Sequence, residues 1–309
     1  MEYRSLRLAL FLLSILAVFT ADVFAATISG RCTIEGGSQK RVRLYISGRM
    51  KPFYTERDGT FSVDVPGPGS YTITPYPTGA LVAAPLRATV TVGARDVTGI
   101  NFTLTKLGET GLLRGRILNR EGGPMVGTEV LLSPGGPLTT DANGIYVAAG
   151  LAAGRYGVTP LEDGFTFSPS VRSQRVAPGK IVSVSPKGRA LPSGSTVETF
   201  FAGLFDATLQ RQSGVCSVVP AQISGTAIVT QRDEKVRLYL PRLGTGTFMA
   251  TTDRFGGAVN KLKLACRVTG EVEVRYGNRD SATVTGSVRA VCLGTEQCNA
   301  TFRGTLARR

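Results

Sequence analysis

Residues 140–164 have the sequence TDANGIYVAAGLAAGRYGVTPLEDG, and residues 55–79 have the sequence TERDGTFSVDVPGPGSYTITPYPTG. The two stretches match at a constant offset of 85, with the same Thr-Pro pair, the same tyrosine before it and glycines at the same places. Self-similarity at a fixed offset is typical of a duplicated structural unit. We therefore predict two copies of one fold, in residues 26–106 and 107–187.

The match extends outward from this stretch toward the start of each copy. Gly30 aligns with Gly115 at the same offset, and the arginine that follows each glycine is also shared. Between the early and late matches, the Glu-Gly-Gly of residues 35–37 meets that of residues 121–123 one position out of register. A one-residue insertion of this kind is expected in a surface turn.

Short β-prone runs separated by turn residues fill both copies. Asp58-Gly59 and Asn143-Gly144 stand at matching places between such runs, and these pairs supply the positive φ that tight hairpins require. Residues 71–75 and 156–160 alternate as half-buried strands do, with the opening tyrosine on the core side. The sequence predicts a small all-β sandwich of about seven strands in each copy.

The second copy resembles a carboxypeptidase regulatory-like domain. The residues that carry the resemblance are Gly115, Gly123-Pro124, Val130 to Leu132, Thr140 to Tyr146, Gly150-Leu151, Ala153 to Tyr156 and Gly164 to Pro169. That family has a prealbumin-like sandwich fold, similar to the B-type repeats of bacterial surface adhesins and to carbohydrate-binding-like sandwiches. The resemblance covers residues 107–187 well and reaches residues 26–106 mainly through the internal repeat. It implies a structural or ligand-presenting module without catalysis of its own.

Composition excludes several kinds of site. The 309 residues include no His and no Trp, so Ser-His-Asp and Cys-His nucleophile systems are absent. Asp141 and Asn143 are interpreted as turn residues and not as calcium ligands, because no acidic cluster accompanies them. Glu271 and Glu273 lie two apart on a predicted strand and are interpreted as solvent-facing charges. We predict no enzyme activity, no cofactor and no metal.

The first 25 residues predict a secretory signal peptide. Arg4 and Arg7 precede an apolar run over residues 8–19, and Val23-Phe24-Ala25 forms a small-x-small cleavage site. The run is shorter than the roughly 20 residues needed to span a bilayer, and no second such stretch follows. We expect an exported chain that begins near Ala26 and has no membrane span after cleavage.

A different β domain follows the two copies. Residues 188–197 are rich in Pro, Gly and Ser and predict a linker. Residues 198–309 contain about eight alternating runs, which suit an antiparallel barrel or a sandwich, and the sequence leaves both open. No known family is recognised in this part.

The five cysteines predict two disulfides and one free thiol. Cys216, Cys266, Cys292 and Cys298 lie in the last domain, and in an exported chain four such residues favour disulfides over a metal site. Of the three possible connectivities, Cys292 with Cys298 across a short loop and Cys216 with Cys266 is favoured. Cys32 lies on the apolar side of its strand and is predicted to be a buried free thiol.

Two candidate binding surfaces follow from charge and aromatic residues. The net charge is +14, and residues 188–309 carry the largest excess, with 16 basic and 9 acidic residues. The basic residues that alternate with apolar ones there are predicted to share one sheet face: Arg237, Lys261, Lys263, Arg267 and Arg275. In the sandwiches, Tyr76 and Phe165 are candidate platforms for stacking a sugar.

Together these observations predict an exported, bacterial-type structural or adhesion protein. Its basic surface suits an acidic polysaccharide or another polyanion, because unlike charges attract at long range. The alternative is a carbohydrate-binding or periplasmic ligand-binding protein that contacts a cell-surface glycan.

Overall fold

A computed structural model of the chain describes residues 26–192, 201–232, 234–251, 254–263, 266–293 and 295–309. The predicted signal peptide and the second half of the predicted linker, residues 193–197, lie outside the described residues. The predicted all-β class is confirmed: two sandwiches precede a closed eight-stranded barrel. In the described part of the chain, no helix is long and apolar enough to cross a membrane.

The first sandwich consists of two four-stranded sheets, in the orders β4-β1-β8-β6 and β3-β2-β5-β7. Its strands are β1 (Ala26–Ile34), β2 (Arg43–Ile46), β3 (Phe53–Tyr54), β4 (Thr60–Val65), β5 (Gly69–Pro75), β6 (Leu81–Ala84), β7 (Ala88–Val92) and β8 (Val97–Lys106). Strand β1 pairs in parallel with β8, and the other neighbours pair antiparallel. In β4 every second residue is buried, as expected for a strand with one face on the core.

The second sandwich repeats this arrangement. Its strands are β9 (Gly111–Arg116), β10 (Glu129–Ser133), β11 (Gly136–Thr139), β12 (Ile145–Leu151), β13 (Gly154–Leu161), β14 (Phe165–Ser168), β15 (Arg172–Val176), β16 (Ile181–Ser183) and β17 (Lys187–Ala190). The sheet orders are β12-β9-β16 and β11-β10-β13-β15, and β14 pairs with β17. Strands β16 and β17 occupy the places of the two halves of β8, so one long strand of the first copy is split in the second.

Matching glycines have the same physical role in both sandwiches. A Cβ on Gly30 would lie 1.8 Å from the carbonyl oxygen of Ile100, and a Cβ on Gly115 would lie 1.7 Å from that of Val184. No side chain fits at these distances. Each glycine therefore lets the parallel strand approach closely, at the same point of both copies.

The predicted tight turns are present in both copies, but the predicted hairpins are wrong, because each turn joins two strands that pair in different sheets: β3 and β4 in the first copy, β11 and β12 in the second. Gly59 and Gly144 adopt φ of +92° and +71°. The hydroxyl groups of Tyr71 and Tyr156 each donate to the carbonyl oxygen four residues earlier, at 2.9 Å and 3.1 Å. These shared contacts show that the two sandwiches are two copies of the same fold.

The second sandwich extends into the predicted linker. Residues 188–190 belong to β17, in which Gly188 pairs with Phe167 and Ala190 pairs with Phe165. The boundary placed after residue 187 is therefore too early. The Gly and Pro content of this segment indicated a loop, whereas its pairing with β14 makes it the last strand of the sandwich.

The barrel is closed by eight antiparallel strands in sequence order, and its first strand pairs with its last. These are β18 (Gly203–Cys216), β19 (Gln222–Arg232), β20 (Lys235–Leu240), β21 (Gly244–Met249), β22 (Arg254–Lys263), β23 (Cys266–Asn278), β24 (Ser281–Cys292) and β25 (Thr295–Arg308). The interior is packed with apolar side chains from every strand. The sequence allowed either a barrel or a sandwich here, and the structure is a barrel.

Two disulfides hold the barrel, as expected, but their connectivity differs from the favoured one. Cys216 bonds to Cys298 and joins β18 to β25, whereas Cys266 bonds to Cys292 and joins β23 to β24. The expected pairs, Cys292 with Cys298 and Cys216 with Cys266, are wrong.

Strand register explains the observed pairing. The chain turns soon after Cys292, which is opposite Thr295, so Cys298 falls opposite Ala290 on the same hairpin. On its other side Cys298 is opposite Cys216, because barrel closure brings the first and last strands together. Spacing along the chain could not reveal this neighbour.

Cys32 is a buried free thiol in the first sandwich, as predicted. Its side chain is fully buried among Ile28, Phe102 and other residues of the core. Burial disfavours the thiolate and raises the pKa of Cys32 to about 12. The thiol is therefore chemically inert while the sandwich is folded.

Candidate functional site

Tyr76 lies in the joint between the two sandwiches. The guanidinium carbon of Arg114, from β9, lies 3.6 Å from the centre of the Tyr76 ring. The ring of Tyr45 contacts Tyr76 edge-on at 5.8 Å. The half-buried Tyr76 ring is thus engaged by the next domain, and the arrangement does not leave that face open as a sugar platform.

Phe165 belongs to the second sandwich and is half-buried. Its ring packs against the hydrophobic core of that sandwich. Its strand, β14, is covered on one edge by β17. The two aromatic candidates therefore lie in separate places, one in a joint and one beside a core, and do not form a common platform.

Two arginines of β9 build the first joint. Arg114 is buried, and its Nη2 donates to the carbonyl oxygen of Pro77 at 2.6 Å. Burial lowers the pKa of the Arg114 guanidinium. Arg116 lies over the ring of Tyr45, 4.4 Å from its centre, and donates to the carbonyl oxygen of Met50 at 3.2 Å. Face contact with a ring offsets part of the desolvation of each cation.

The turn at residues 141–144 of the second sandwich completes this joint. The hydroxyl of Thr74 donates to Oδ2 of Asp141 at 2.6 Å, and Nδ2 of Asn143 donates to the carbonyl oxygen of Thr72 at 3.0 Å. Asp141 and Asn143 are both buried. They are turn residues, as interpreted from sequence, and they also bind the preceding domain, which the sequence did not indicate.

The second joint connects the second sandwich to the barrel. Leu204, at the start of β18, packs over Gly157 of β13. A Cβ added to Gly157 would lie 2.2 Å from Cδ1 of Leu204, so only glycine leaves room for the leucine. Oγ of Ser170 accepts a hydrogen bond from the backbone N–H of Gln231 at 3.2 Å. This joint therefore uses an apolar contact beside backbone hydrogen bonds.

Polar contacts at the edge of the second joint lie at the same end of the barrel. Arg279, in the turn between β23 and β24, forms an ion pair with Glu129 at 2.9 Å. The hydroxyl of Ser133 donates to the carbonyl oxygen of Arg309. The end of the barrel that carries the chain terminus therefore faces the second sandwich, and we call it the basal end.

The opposite end carries the two disulfides and faces away from the sandwiches. It is formed by the turns after β18, β20 and β24, which include residues 217–221, residues 241–243 and Leu293. We call this end the distal rim. Exposed basic residues on and just below it are Arg242, Arg267 and Arg289.

The predicted basic face is not a single face. Arg237, Arg267 and Arg275 are exposed on the outer wall. Lys261 is opposite the buried Val268, so it lies on the inner side of β22 and is half-buried. Placing all five basic residues together was wrong for Lys261.

Strand phase gives the reason. In β22, Phe255 and Val259 fill the barrel, and this alternation continues to Lys261. The leucines that flank Lys261 and Lys263 in sequence suggested the opposite phase. Lys263 pairs with Cys266 in the same ladder.

Glu271 and Glu273 line a groove of 570 Å³ on the outer wall, together with Arg254 and Ser287. Glu273 forms ion pairs with Arg275 and, at 3.9 Å, with Arg254. The hydrogen bond from Arg275 holds the pKa of Glu273 below its usual range. This carboxyl group stays ionised at neutral pH and is not suited to act as a general acid.

Metal-binding chemistry has no support in the described ranges, where no group of three or more Cys, Asp or Glu side chains is placed to hold an ion. The sites that the structure does form are two interdomain joints, an open groove and a basic distal rim.

No protein-family model matches the chain, and no curated protein sequence matches it. The resemblance to carboxypeptidase regulatory-like domains therefore stays a prediction. Among solved structures, the chain is similar to GBS52, the minor pilin of Streptococcus agalactiae, at 14% identity over 55% of this chain and 98% of that one, with a TM-score of 0.25.

Two other pilins give similar values. The shaft pilin SpaA of Lactobacillus rhamnosus GG is 11% identical over 54% of this chain and all of that one (100%), with a TM-score of 0.23. BcpA, the major pilin subunit of Bacillus cereus, is 8% identical over 54% of this chain and 99% of that one, with a TM-score of 0.22. Scores this low carry no functional conclusion for the chain.

Proposed function

We propose that the chain is an exported, non-catalytic modular protein that presents the distal rim of its barrel to an anionic partner. Two disulfides support export, because such bonds persist in oxidising compartments outside the cytoplasm. The two sandwiches serve as a stalk, since each is engaged by the domain that follows it. The barrel is the module that the stalk displays.

The distribution of charge along the barrel carries this proposal. Arg242, Arg267 and Arg289 are exposed at or near the distal rim, and the sequence of the adjoining strand β25 contains one acidic residue, Glu296. The basal end also carries basic residues, but acidic partners offset part of their charge: Asp206 pairs with Arg309, Glu273 with Arg254 and Arg275, and Asp280 with Arg308. An anionic partner is attracted to the end that faces away from the stalk.

Retention on immobilised dextran sulfate and polygalacturonate tests this function with the full chain from Ala26. We expect binding that weakens steeply with salt, and the double variant Arg242→Gln with Arg267→Gln is expected to bind about thirtyfold more weakly. The matched control is Arg172→Gln with Arg175→Gln, which removes two exposed arginines from β15 of the second sandwich. At about 1 kcal/mol per basic residue near an anionic surface, two residues give this factor. Equal loss in both double variants would overturn the proposal.

A second candidate function, carbohydrate binding, is favoured by one observation on the outer wall. Tyr239 is 39% exposed and, with Ile228 and Arg237, lines a recess of 280 Å³. A partly open ring beside a cation and hydroxyl groups suits an acidic sugar. Tyr54 is similarly exposed, but Arg41 and Arg43 flank its ring.

A glycan array with matched aromatic variants tests this candidate. Saturable sugar binding that is lost in Tyr239→Ala and kept in Tyr54→Ala would support it. Sugar binding that is unaffected by Tyr239→Ala, or the absence of any saturable binding, would contradict it.

A further inference from the structure

The distal rim is apolar as well as basic. Leu293, in the turn between β24 and β25, is 87% exposed, and Val215, near the end of β18, is 80% exposed. Val218, in the turn after β18, is also exposed. The two disulfides, at Cys216 and Cys292, hold the strand ends next to these aliphatic side chains. Large apolar side chains grouped at one end of a domain are typical of an interaction surface.

Backbone conformation marks the same turns. In the described part of the chain, two residues other than glycine adopt positive φ: Arg242 at +69° and Leu293 at +49°. Both lie in distal turns. This region of φ suits glycine or asparagine, and other residues are held there at a cost in free energy. The chain thus keeps a cation and an aliphatic side chain at two turns where glycine would fold more easily.

Aliphatic and basic side chains at one rim match the chemistry of a lipid surface. Guanidinium groups bind lipid phosphates, while aliphatic side chains enter the boundary between headgroups and acyl chains. A soluble acidic polysaccharide offers no apolar phase to receive Leu293 or Val215. The combination therefore favours a bilayer over a soluble polymer.

We infer that the distal rim docks on the surface of an anionic phospholipid bilayer, with Arg242 and Arg267 on the phosphates and Leu293 and Val215 inserted among the headgroups. This inference rests on the proposed function and names its partner. The two sandwiches that form the stalk then extend from the basal end of the barrel, away from the bilayer.

Sedimentation with vesicles tests the inference on the full chain from Ala26. We expect binding to vesicles of phosphatidylglycerol mixed with phosphatidylcholine, little binding to phosphatidylcholine alone, and release at high salt. Leu293→Asn is expected to bind the mixed vesicles about tenfold more weakly, because a partly inserted leucine contributes this factor. Asparagine suits positive φ, so the variant keeps its turn, and an unchanged thermal midpoint shows this.

The matched control is Met249→Asn, which replaces a residue that is 57% exposed at the basal end of the barrel. This variant is expected to bind vesicles as the unaltered chain does. Equal loss in the two Asn variants, or equal binding to both kinds of vesicle, would overturn the inference.

Dextran sulfate separates the inference from the proposed function. Leu293→Asn is expected to retain full binding to this soluble polymer. Polymer binding without vesicle binding would overturn the inference and leave the proposed function standing. Failure to bind either probe would overturn both.

Discussion

The two sandwiches share one fold, yet each holds the next domain by different chemistry. In both, the sheet that contains the central Thr-Pro strand receives the following domain: β5 receives the second sandwich, and β13 receives the barrel. The first joint buries Arg114, Asp141 and Asn143, whereas the second places Leu204 over Gly157. A repeated fold thus supplies a repeated docking face, and substitutions on that face adapt it to each neighbour.

The corresponding turns, at residues 56–59 and 141–144, show the same divergence. In the first sandwich the side chain of Asp58 is 56% exposed and its carboxylate accepts from Thr60. At the matching turn of the second sandwich, Asn143 is buried and bonds to Thr72. Both copies need this turn in order to fold, but only the second copy uses it to contact a neighbouring domain. Residues that the two copies share therefore indicate what the fold requires, and residues that differ indicate what domain contacts require.

The largest expected effect is a loss of stability on disulfide reduction that is confined to the barrel and spares both sandwiches. Reduction of Cys216–Cys298 and Cys266–Cys292 is expected to destabilise the barrel by about 2 to 5 kcal/mol per bridge and to leave the sandwiches folded. Thermal unfolding with and without reductant, followed by domain-resolved hydrogen exchange, measures this. Cys32 provides an internal control, because its thiol is expected to resist alkylation until the first sandwich unfolds. Simultaneous unfolding of all three domains on reduction would contradict this account.

A matched pair of glycine variants tests whether the two sandwiches are structurally equivalent. Gly30→Ala and Gly115→Ala are each expected to destabilise their own sandwich by about 3 kcal/mol, since the added methyl group overlaps a backbone carbonyl. Gly108→Ala is the control, because its Cβ would meet nothing within 4 Å. Calorimetry of the three variants measures these losses of stability. An alanine that leaves the stability of either sandwich unchanged would show that the two glycines do not have equivalent roles.

The third prediction compares the two joints. Arg114→Ala removes a buried cation from a ring and from the carbonyl oxygen of Pro77, and we expect it to weaken the coupling of the sandwiches by about 2 kcal/mol. Arg279→Ala removes a partly exposed ion pair from the second joint and should change stability by less than about 1 kcal/mol. Chemical denaturation of both variants measures the difference. Similar losses at the two joints would show that burial does not distinguish them.

The smallest expected effect concerns the tyrosine hydroxyl hydrogen bond that the two copies share. Tyr71→Phe and Tyr156→Phe should each destabilise the protein by about 1 kcal/mol, because the carbonyl oxygens of Gly67 and Ala152 lose their donors. Tyr239→Phe, on the outer wall of the barrel, is the control and should have no effect. Thermal midpoints measure all three, and a change confined to one sandwich would argue against equivalent roles.

The duplication and the all-β class could be predicted because they depend on local turn residues and on spacing, both of which the sequence carries directly. The disulfide pairing could not, since barrel closure makes the distant Cys216 the neighbour of Cys298. The side of β22 that Lys261 occupies was also hidden, because Lys261 and Lys263 alternate with leucines, whereas the Gly-Gly-Ala between Phe255 and Val259 gives no clear phase. Register decides between such patterns.

The candidate surfaces show the same limit. Tyr76 was identified as an aromatic residue at the end of a strand, but its partner, Arg114, comes from another domain. Asp141 and Asn143 were correctly interpreted as turn residues, and their role in the joint depends on what packs against that turn. Leu293 falls in the short loop between Cys292 and Cys298, and an aliphatic residue in such a loop is the sequence signal for an exposed apolar contact.

The central claim is that buried joints hold the three domains as one unit that presents the distal rim. Pulsed electron paramagnetic resonance between spin labels at Arg95→Cys, in the first sandwich, and Gln222→Cys, near the distal rim, tests it directly. Both positions are exposed, and the buried Cys32 stays unlabelled. We predict one narrow distance distribution, which broadens when Arg114→Ala is added. A broad distribution in the chain without that substitution would contradict the claim.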